Sequence, residues 1–255
     1  MGIVNATPDS FSDGGRHFAP GAALAGALAQ VGEGADFIDL GAESTRPGAA
    51  EIDAAEEWRR LEPVLAAFAG KVAVPVSVDT WKAEVAAKAL AAGASIVNDV
   101  HGLQRDPEMA GVVASAGAGL VLMHNSRGET AGGDIIGRIR RFFEKSLALA
   151  ERAGIAADRI VLDPGIGFGK SVAGNLAVLR RVGELRDLGL PLLLGASRKS
   201  VIGAVLDRPV EDRLEGTIAT TVAAVIGGVD IVRVHDIDPN LKAARMADAI
   251  YRDPS

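Results

Sequence analysis

The sequence predicts an α/β protein, a closed (β/α)8 barrel formed as one domain over residues 1–255, and three observations predict it. Eight short runs of Val, Ile and Leu recur along the chain, each followed by an Ala-rich segment with helical spacing. Dividing 255 residues by eight gives ~32 per unit, the size of a βα repeat. Polar residues gather at the end of each run, where a TIM barrel carries its active site.

The predicted strands cover residues 2–5, 37–41, 76–79, 95–98, 119–124, 159–163, 191–195 and 230–235. They are apolar almost throughout, as strands are when both faces of a parallel sheet are covered. A doubly wound open sheet is the rival, but it usually has fewer strands and a switch point, which this regular count does not suggest. The polar residues at the strand ends are Asn5, Glu43 to Arg46, Asp79, Asn98, His124, Asp163, Ser197 to Lys199, Arg233 and His235. At the opposite end, turns such as Glu33-Gly34-Ala35 and Ala92-Gly93-Ala94 are small and plain. Two connections on the polar face, 8–20 and 44–52, are long and rich in Ser, Gly, Asp and Pro, so they read as lids. The last helices centre on 218–226 and 241–250 and are apolar enough to cover more than a barrel wall.

Composition narrows the function. The chain has no cysteine, which excludes disulfides, thiolate metal sites and cysteine nucleophiles and fits a cytoplasmic protein. No run reaches the ~18 apolar residues of a membrane span, and residues 1–8 lack the pattern of an export signal. A net charge of −6 without a basic stripe argues against nucleic acid as a partner. The run Gly165-Ile166-Gly167-Phe168-Gly169-Lys170-Ser171 imitates a phosphate loop, but Pro164 stands where the nucleotide motif needs Gly and Lys170 where the dinucleotide motif does. A nucleoside-triphosphate site is therefore rejected.

Individual polar residues have ordinary readings. Asp79 could cap a helix that opens with Trp81-Lys82-Ala83, Asp163 before Pro164 could start a turn, and Arg233 and His235 could be a surface cation and a core imidazole. Asn5 could equally start a turn.

The strings around these residues carry more. Ile3-Val4-Asn5-Ala6-Thr7-Pro8-Asp9-Ser10-Phe11-Ser12-Asp13 and Glu43-Ser44-Thr45-Arg46-Pro47-Gly48 resemble the two signature loops of the dihydropteroate synthases. The resemblance continues in order through Val78-Asp79-Thr80, Val97-Asn98-Asp99, Leu122-Met123-His124, Leu162-Asp163-Pro164-Gly165, Ser197-Arg198-Lys199-Ser200 and Val232-Arg233-Val234-His235. It covers essentially the whole chain and implies a transferase of folate biosynthesis, of the family targeted by sulfonamides. Such an enzyme condenses 6-hydroxymethyl-7,8-dihydropterin pyrophosphate with 4-aminobenzoate, releasing pyrophosphate and forming 7,8-dihydropteroate.

By the same resemblance, Asp79, Asn98, Met123, Asp163 and Lys199 bind the pterin, while Asn5, Thr45, Arg46, Arg233 and His235 hold the pyrophosphate. Asp79, Asp163, Lys199, Arg233 and His235 form its catalytic set. Phe11, Ser12, Asp13, Ser44, Pro47, Phe168 and Ser200 form the loops and the aminobenzoate pocket. Asn5 would also touch a Mg²⁺ carried by the diphosphate, since Mg²⁺ keeps its waters and takes substrate oxygens. A homodimer is implied as well.

An aryl amine is already nucleophilic, so this chemistry needs positioning, leaving-group stabilisation and exclusion of water rather than a strong base. Two departures are visible. Family members carry a short stretch ahead of the first strand that caps the barrel floor, whereas here the strand starts at Gly2, so a partly exposed apolar floor is expected. His124-Asn125-Ser126-Arg127-Gly128 is looser than the family form. The rivals are a methyltetrahydrofolate-binding methyltransferase barrel, which lacks the two signature loops, and a paralogue that binds pterins without reacting them.

Overall fold

A computed structural model of the chain describes residues 1–6, 20–43, 50–128 and 133–252. Its strands are β1 (Gly2–Asn5), β2 (Ile38–Gly41), β3 (Val76–Asp79), β4 (Ile96–Asp99), β5 (Gly119–Met123), β6 (Ile160–Asp163), β7 (Leu193–Leu194) and β8 (Ile231–Val232). Strands β1 to β6 pair in sequence order, all parallel, and β7 pairs with β8 in the same sense. Two parallel bridges join these groups, Leu162 to Leu192 and Gly2 to Val234. The second seam carries Ile3 N–H to Val234 O at 3.2 Å and Val234 N–H to Met1 O at 3.0 Å, so the eight strands close into a barrel.

All eight runs expected from the sequence are strands. The last two are shorter than expected, with Leu192 and Val234 joined by isolated bridges just outside them, yet Arg233 N–H still reaches Leu194 O at 3.0 Å.

The helices are α1 (Pro20–Gly32), α2 (Ala54–Phe68), α3 (Ala83–Ala91), α4 (Met109–Ala116), α5 (Ile135–Ala153), α6 (Val172–Arg181), α7 (Ser200–Leu206), α8 (Leu214–Ile226) and α9 (Ile237–Tyr251). Helices α8 and α9 contain the two segments expected from the sequence. Side-chain caps start several helices. Asp53 accepts from Glu56 N–H, Asp134 from Gly137 N–H and Ser171 from Gly174 N–H, each satisfying a donor the first turn would leave unpaired.

The apolar residues divide by height and by face. A large cluster, including Ile38, Leu40, Leu61, Val78, Leu120, Ile139, Phe143 and Leu162, fills the space between barrel and helices. A small one, Met1, Val121 and Leu193 with half-buried Phe37, Ile96, Val161 and Ile231, fills the barrel floor. A third, Val100, Met123 and Phe168 beside Trp81, stands at the strands' carboxyl ends. That separation leaves a polar layer between an apolar floor and an apolar rim.

Candidate active site

The polar layer is set by strand register. Asn5, Gly41, Asp79 and Asn98 are successive pairing partners across β1 to β4, so they sit at one level about 4.8 Å apart. Gly41 leaves the space that a side chain would take. A Cβ there would lie 3.8 Å from Asp79 Oδ2 and 3.9 Å from Asn5 Oδ1, so both polar atoms border one gap.

Below this level Asp39, fully buried, accepts from Arg233 Nε at 2.6 Å and from Asn98 Nδ2 at 3.2 Å. Arg233 Nη2 also reaches Asp79 Oδ2 at 3.3 Å. The guanidinium from β8 therefore crosses the barrel to hold two carboxylates from β2 and β3. Burial acts against its charge, but Asp39 and Asp79 outweigh that and raise its pKa. Burial and then the charge of Asp39 push the Asp79 carboxyl up, against the opposing pull of Arg233. Asp79 does not cap α3: that helix starts after Lys82, and its Ala83 N–H is accepted by Asp106 at 2.8 Å.

Across the mouth, Asp163 ends β6 at 5% exposure and accepts from Gly165 N–H at 2.7 Å. The turn reading is thus correct, and the second carboxylate oxygen is not used by it. Burial raises its pKa despite the nearby ammonium of Lys199. Lys199 donates from Nζ to Ile166 O at 2.6 Å and lies 4.9 Å from the Phe168 ring. Burial lowers its pKa to about 8, opposed by Asp163.

A single point ties the two sides together. A Cβ on Gly195 would lie 3.9 Å from Lys199 Nζ and 3.7 Å from Arg233 Cβ. Asp163, Lys199, Arg233, Asp79, Asn98 and Asn5 thus border one barrel mouth, with Met123 and Phe168 as its apolar wall. Buried carboxylates beside an amide and two cations suit a flat heterocycle bearing both donors and acceptors, since each edge finds a charge-assisted partner.

The Gly-rich run after β6 is a packing device. Gly165, Gly167 and Gly169 have φ of 68°, 86° and 70°, values that favour glycine. A Cβ on Gly165 would stand 2.0 Å from His124 O, and one on Gly169 2.5 Å from Arg127 N. On Gly167 it would meet the Lys199 stem at 3.2 Å. Lys170 Nζ then ties the run down by donating to Gly165 O at 2.7 Å and His124 O at 3.3 Å. His124 is fully buried, packs edge-on against Phe142 at 5.0 Å between ring centroids, and is kept neutral chiefly by burial, at a pKa of about 3. It supports the loop from behind rather than facing the mouth.

Arg233 turns to Asp39 and Asp79. His235 instead turns to Ser197, with Nδ1 2.9 Å from its Oγ. Ser200 is exposed at the start of α7. Thr45, Arg46, Phe11, Ser12, Asp13, Ser44 and Pro47 lie outside the described residues.

Sequence reasoning missed three members. Asp39 was hidden inside an apolar strand run, although an acid at an inward position two residues before the strand end is itself a signal. Ser197 was quoted without a role. Lys82, 7% exposed, donates to Glu43 at 2.6 Å and to fully buried Glu57 at 2.5 Å. Glu43 also accepts from Ile52 N–H at 3.0 Å, so this ion triad joins both ends of the β2–α2 connection.

Among the described residues no group of three or more His, Cys, Asp or Glu could hold a metal. No helix among them is long and apolar enough to cross a membrane.

Comparison with known proteins agrees with this geometry. The family described as pterin binding enzyme matches residues 1–235. The dihydropteroate synthase of Synechocystis is 45% identical, covering 99% of this chain and 90% of its own length. That of Bacillus subtilis is 46% identical, covering 98% and 87%. Among solved structures, the Clostridium difficile dihydropteroate synthase determined with pteroic acid superposes with a TM-score of 0.96 at 52% identity, covering 99% of this chain and 96% of its own. The Xanthomonas albilineans enzyme with 4-aminobenzoic acid gives 0.94 at 42% identity, covering 100% and 93%. This chain belongs to the pterin-binding enzymes, within the dihydropteroate synthases.

Proposed function

We propose that residues 1–255 work as one catalytic unit, a transferase of folate biosynthesis that joins 6-hydroxymethyl-7,8-dihydropterin pyrophosphate to 4-aminobenzoate. The carrying observation is the convergence of Asp163, Asn98, Asp79, Lys199 and Arg233 on one barrel mouth. In this reading Asp163 accepts from the amino group and ring N–H of the pterin, and Lys199 donates to its carbonyl side. Asn98 and Asp79 bond the remaining ring nitrogens, while Met123 packs against the ring. Arg233, His235 and Asn5, with Thr45 and Arg46, hold the diphosphate.

The methylene carbon to oxygen bond breaks toward the diphosphate, the aromatic amine forms the new carbon to nitrogen bond, and the amine then gives up one proton. The cations stabilise the leaving charge, which is where a preorganised site contributes most. Phe168, Ser200, Phe11, Ser12, Asp13, Ser44 and Pro47 form the aminobenzoate side and exclude water.

Mg²⁺ fits as a substrate-borne ion. Asn5 offers one exposed amide beside the Asp79 carboxylate, which suits a metal that keeps waters and diphosphate oxygens but not one held by protein alone. When bound, it would neutralise diphosphate charge. The cytoplasm is the proposed compartment, consistent with the absence of cysteine.

The deciding assay incubates the protein with the pterin pyrophosphate, 4-aminobenzoate and Mg²⁺. Dihydropteroate formation is expected, whereas pterin binding without product would defeat the catalytic reading. Because the Lys199 ammonium is charged below about pH 8 and neutral above, kcat/KM is expected to fall as pH rises through that value. K199R should move this limb to higher pH, and an unchanged limb would remove Lys199 from the assignment.

A homodimer is proposed on the exposed apolar residues Ile226, Met246, Ile250 and Tyr251 of α8 and α9. Light scattering should give twice the 26.2 kDa chain mass at micromolar concentration, and a monomer mass would refute it.

A further inference from the structure

The β7–α7 and β8–α9 connections meet as two adjacent rungs. In the first, Ser197 Oγ lies 2.9 Å from His235 Nδ1 and accepts the His235 backbone N–H at 3.2 Å. In the second, Arg198 donates to Asp236 from Nε at 3.0 Å and from Nη2 at 2.5 Å. Between them Arg198 has a φ of 57°, a left-handed conformation costly for a side-chain-bearing residue. It is held there from three directions. Its N–H reaches Thr217 Oγ1 at 3.1 Å, its carbonyl accepts from Arg213 at 3.0 Å, and its guanidinium grips Asp236. The bend sends Ser197 to His235 while Lys199, two residues on, reaches Ile166 O.

We infer that Ser197 is a positioning residue that fixes the tautomer of His235, keeping Nδ1 an acceptor so that Nε2 carries the ring proton as a donor for a diphosphate oxygen. A hydroxyl has one proton and two lone pairs. One lone pair of Ser197 takes the His235 backbone N–H, and among the described residues the remaining partner of Oγ is Nδ1. The hydroxyl proton therefore points to Nδ1. Ser197 is 5% exposed, so leaving that proton without an acceptor would carry the cost of an unmet buried donor. With Nδ1 occupied, a neutral imidazole has its N–H on Nε2. The same logic orients histidines that serve as ligands elsewhere, where the bond made by one ring nitrogen selects the state of the other. Nothing further is required of Ser197 than that its hydroxyl stay in place.

This inference rests on the diphosphate role proposed above for His235, and the experiment separates the two. The full chain is labelled with ¹⁵N-histidine. It has four histidines, and H235Q identifies the signals of His235. Wild-type protein should show the Nε2–H tautomer at this residue. S197A should mix the tautomers and weaken inhibition by inorganic pyrophosphate about tenfold, the worth of one buried hydrogen bond, with KM for 4-aminobenzoate nearly unchanged. S197T, which keeps the hydroxyl, should restore both. A wild-type Nδ1–H tautomer overturns the inference, as does S197A leaving either readout unaltered, or a folded S197T restoring neither. If S197A does not fold, the wild-type tautomer and S197T decide. H235Q inhibited by pyrophosphate as strongly as wild type overturns the diphosphate role of His235 itself, whatever the tautomer.

Discussion

Replacing Asp163 by Ala is expected to lower kcat/KM about 10³-fold, roughly 4 kcal/mol, as is usual when one member of a buried, charged hydrogen-bonding set is removed. Among the described residues, Asp163 is the one carboxylate of the mouth whose charge faces Lys199 without also being tied to Arg233 by a hydrogen bond. Its loss strands the donors of a bound pterin in a site that excludes water. D163A also deletes the acceptor for Gly165 N–H, so a stability loss of ~1 kcal/mol should accompany it. D163N separates these effects. It can still accept from Gly165, yet it presents an amide N–H where the pterin edge offers N–H as well, so activity should remain low while stability returns. Product formation by D163A at the wild-type rate would end the assignment of Asp163 as the ring anchor.

The second large effect concerns Arg233. R233M should destabilise the fold by about 3–5 kcal/mol, because it leaves Asp39 and Asp79 buried without their shared cation. For a chain of this size that corresponds to a melting temperature lower by roughly 6–20 °C. Asp39 is fully buried, so water cannot replace the guanidinium. Adding D39N to R233M should recover part of the loss, whereas the same change in the wild-type background should be destabilising. The pH dependence has a definite sign. Burial already raises the Asp79 pKa in the folded state, and losing Arg233 removes a charge that lowers it. A folded state that binds its proton more tightly than the unfolded chain gains stability as pH falls. The deficit of R233M should therefore be largest at alkaline pH, shrink as pH falls toward the wild-type Asp79 pKa of about 7, and change little below it, where the carboxyl is protonated in both proteins; a deficit constant across the alkaline window would contradict this account.

Much of this architecture is legible in the sequence because parallel barrel strands have a simple signature. Runs such as 119–123 and 160–163 are apolar on both faces and give way to a polar residue at their end, so strand positions and the functional end come from one pattern. Asp163 and Lys199 stand out by the same reasoning. Asp39 does not, because a partner 194 positions away, Arg233, is what makes its burial tolerable. Lys82 reads as an ordinary residue near the start of a helix, and only the fold brings Glu43 and Glu57 against it. The Gly-rich run shows the opposite difficulty. Its spacing imitates a phosphate loop, while its cause is the approach of the 124–127 backbone, which no local pattern encodes.

The Lys82 triad also bears on how this protein tolerates change. Glu43 and Ile52 are fastened to each other and to the scaffold by groups placed before, after and away from residues 44–49. The feet of that segment are thus pinned independently of what lies between them. An exchange at Lys82 would therefore loosen both feet of the connection at once, although the residue itself belongs to neither.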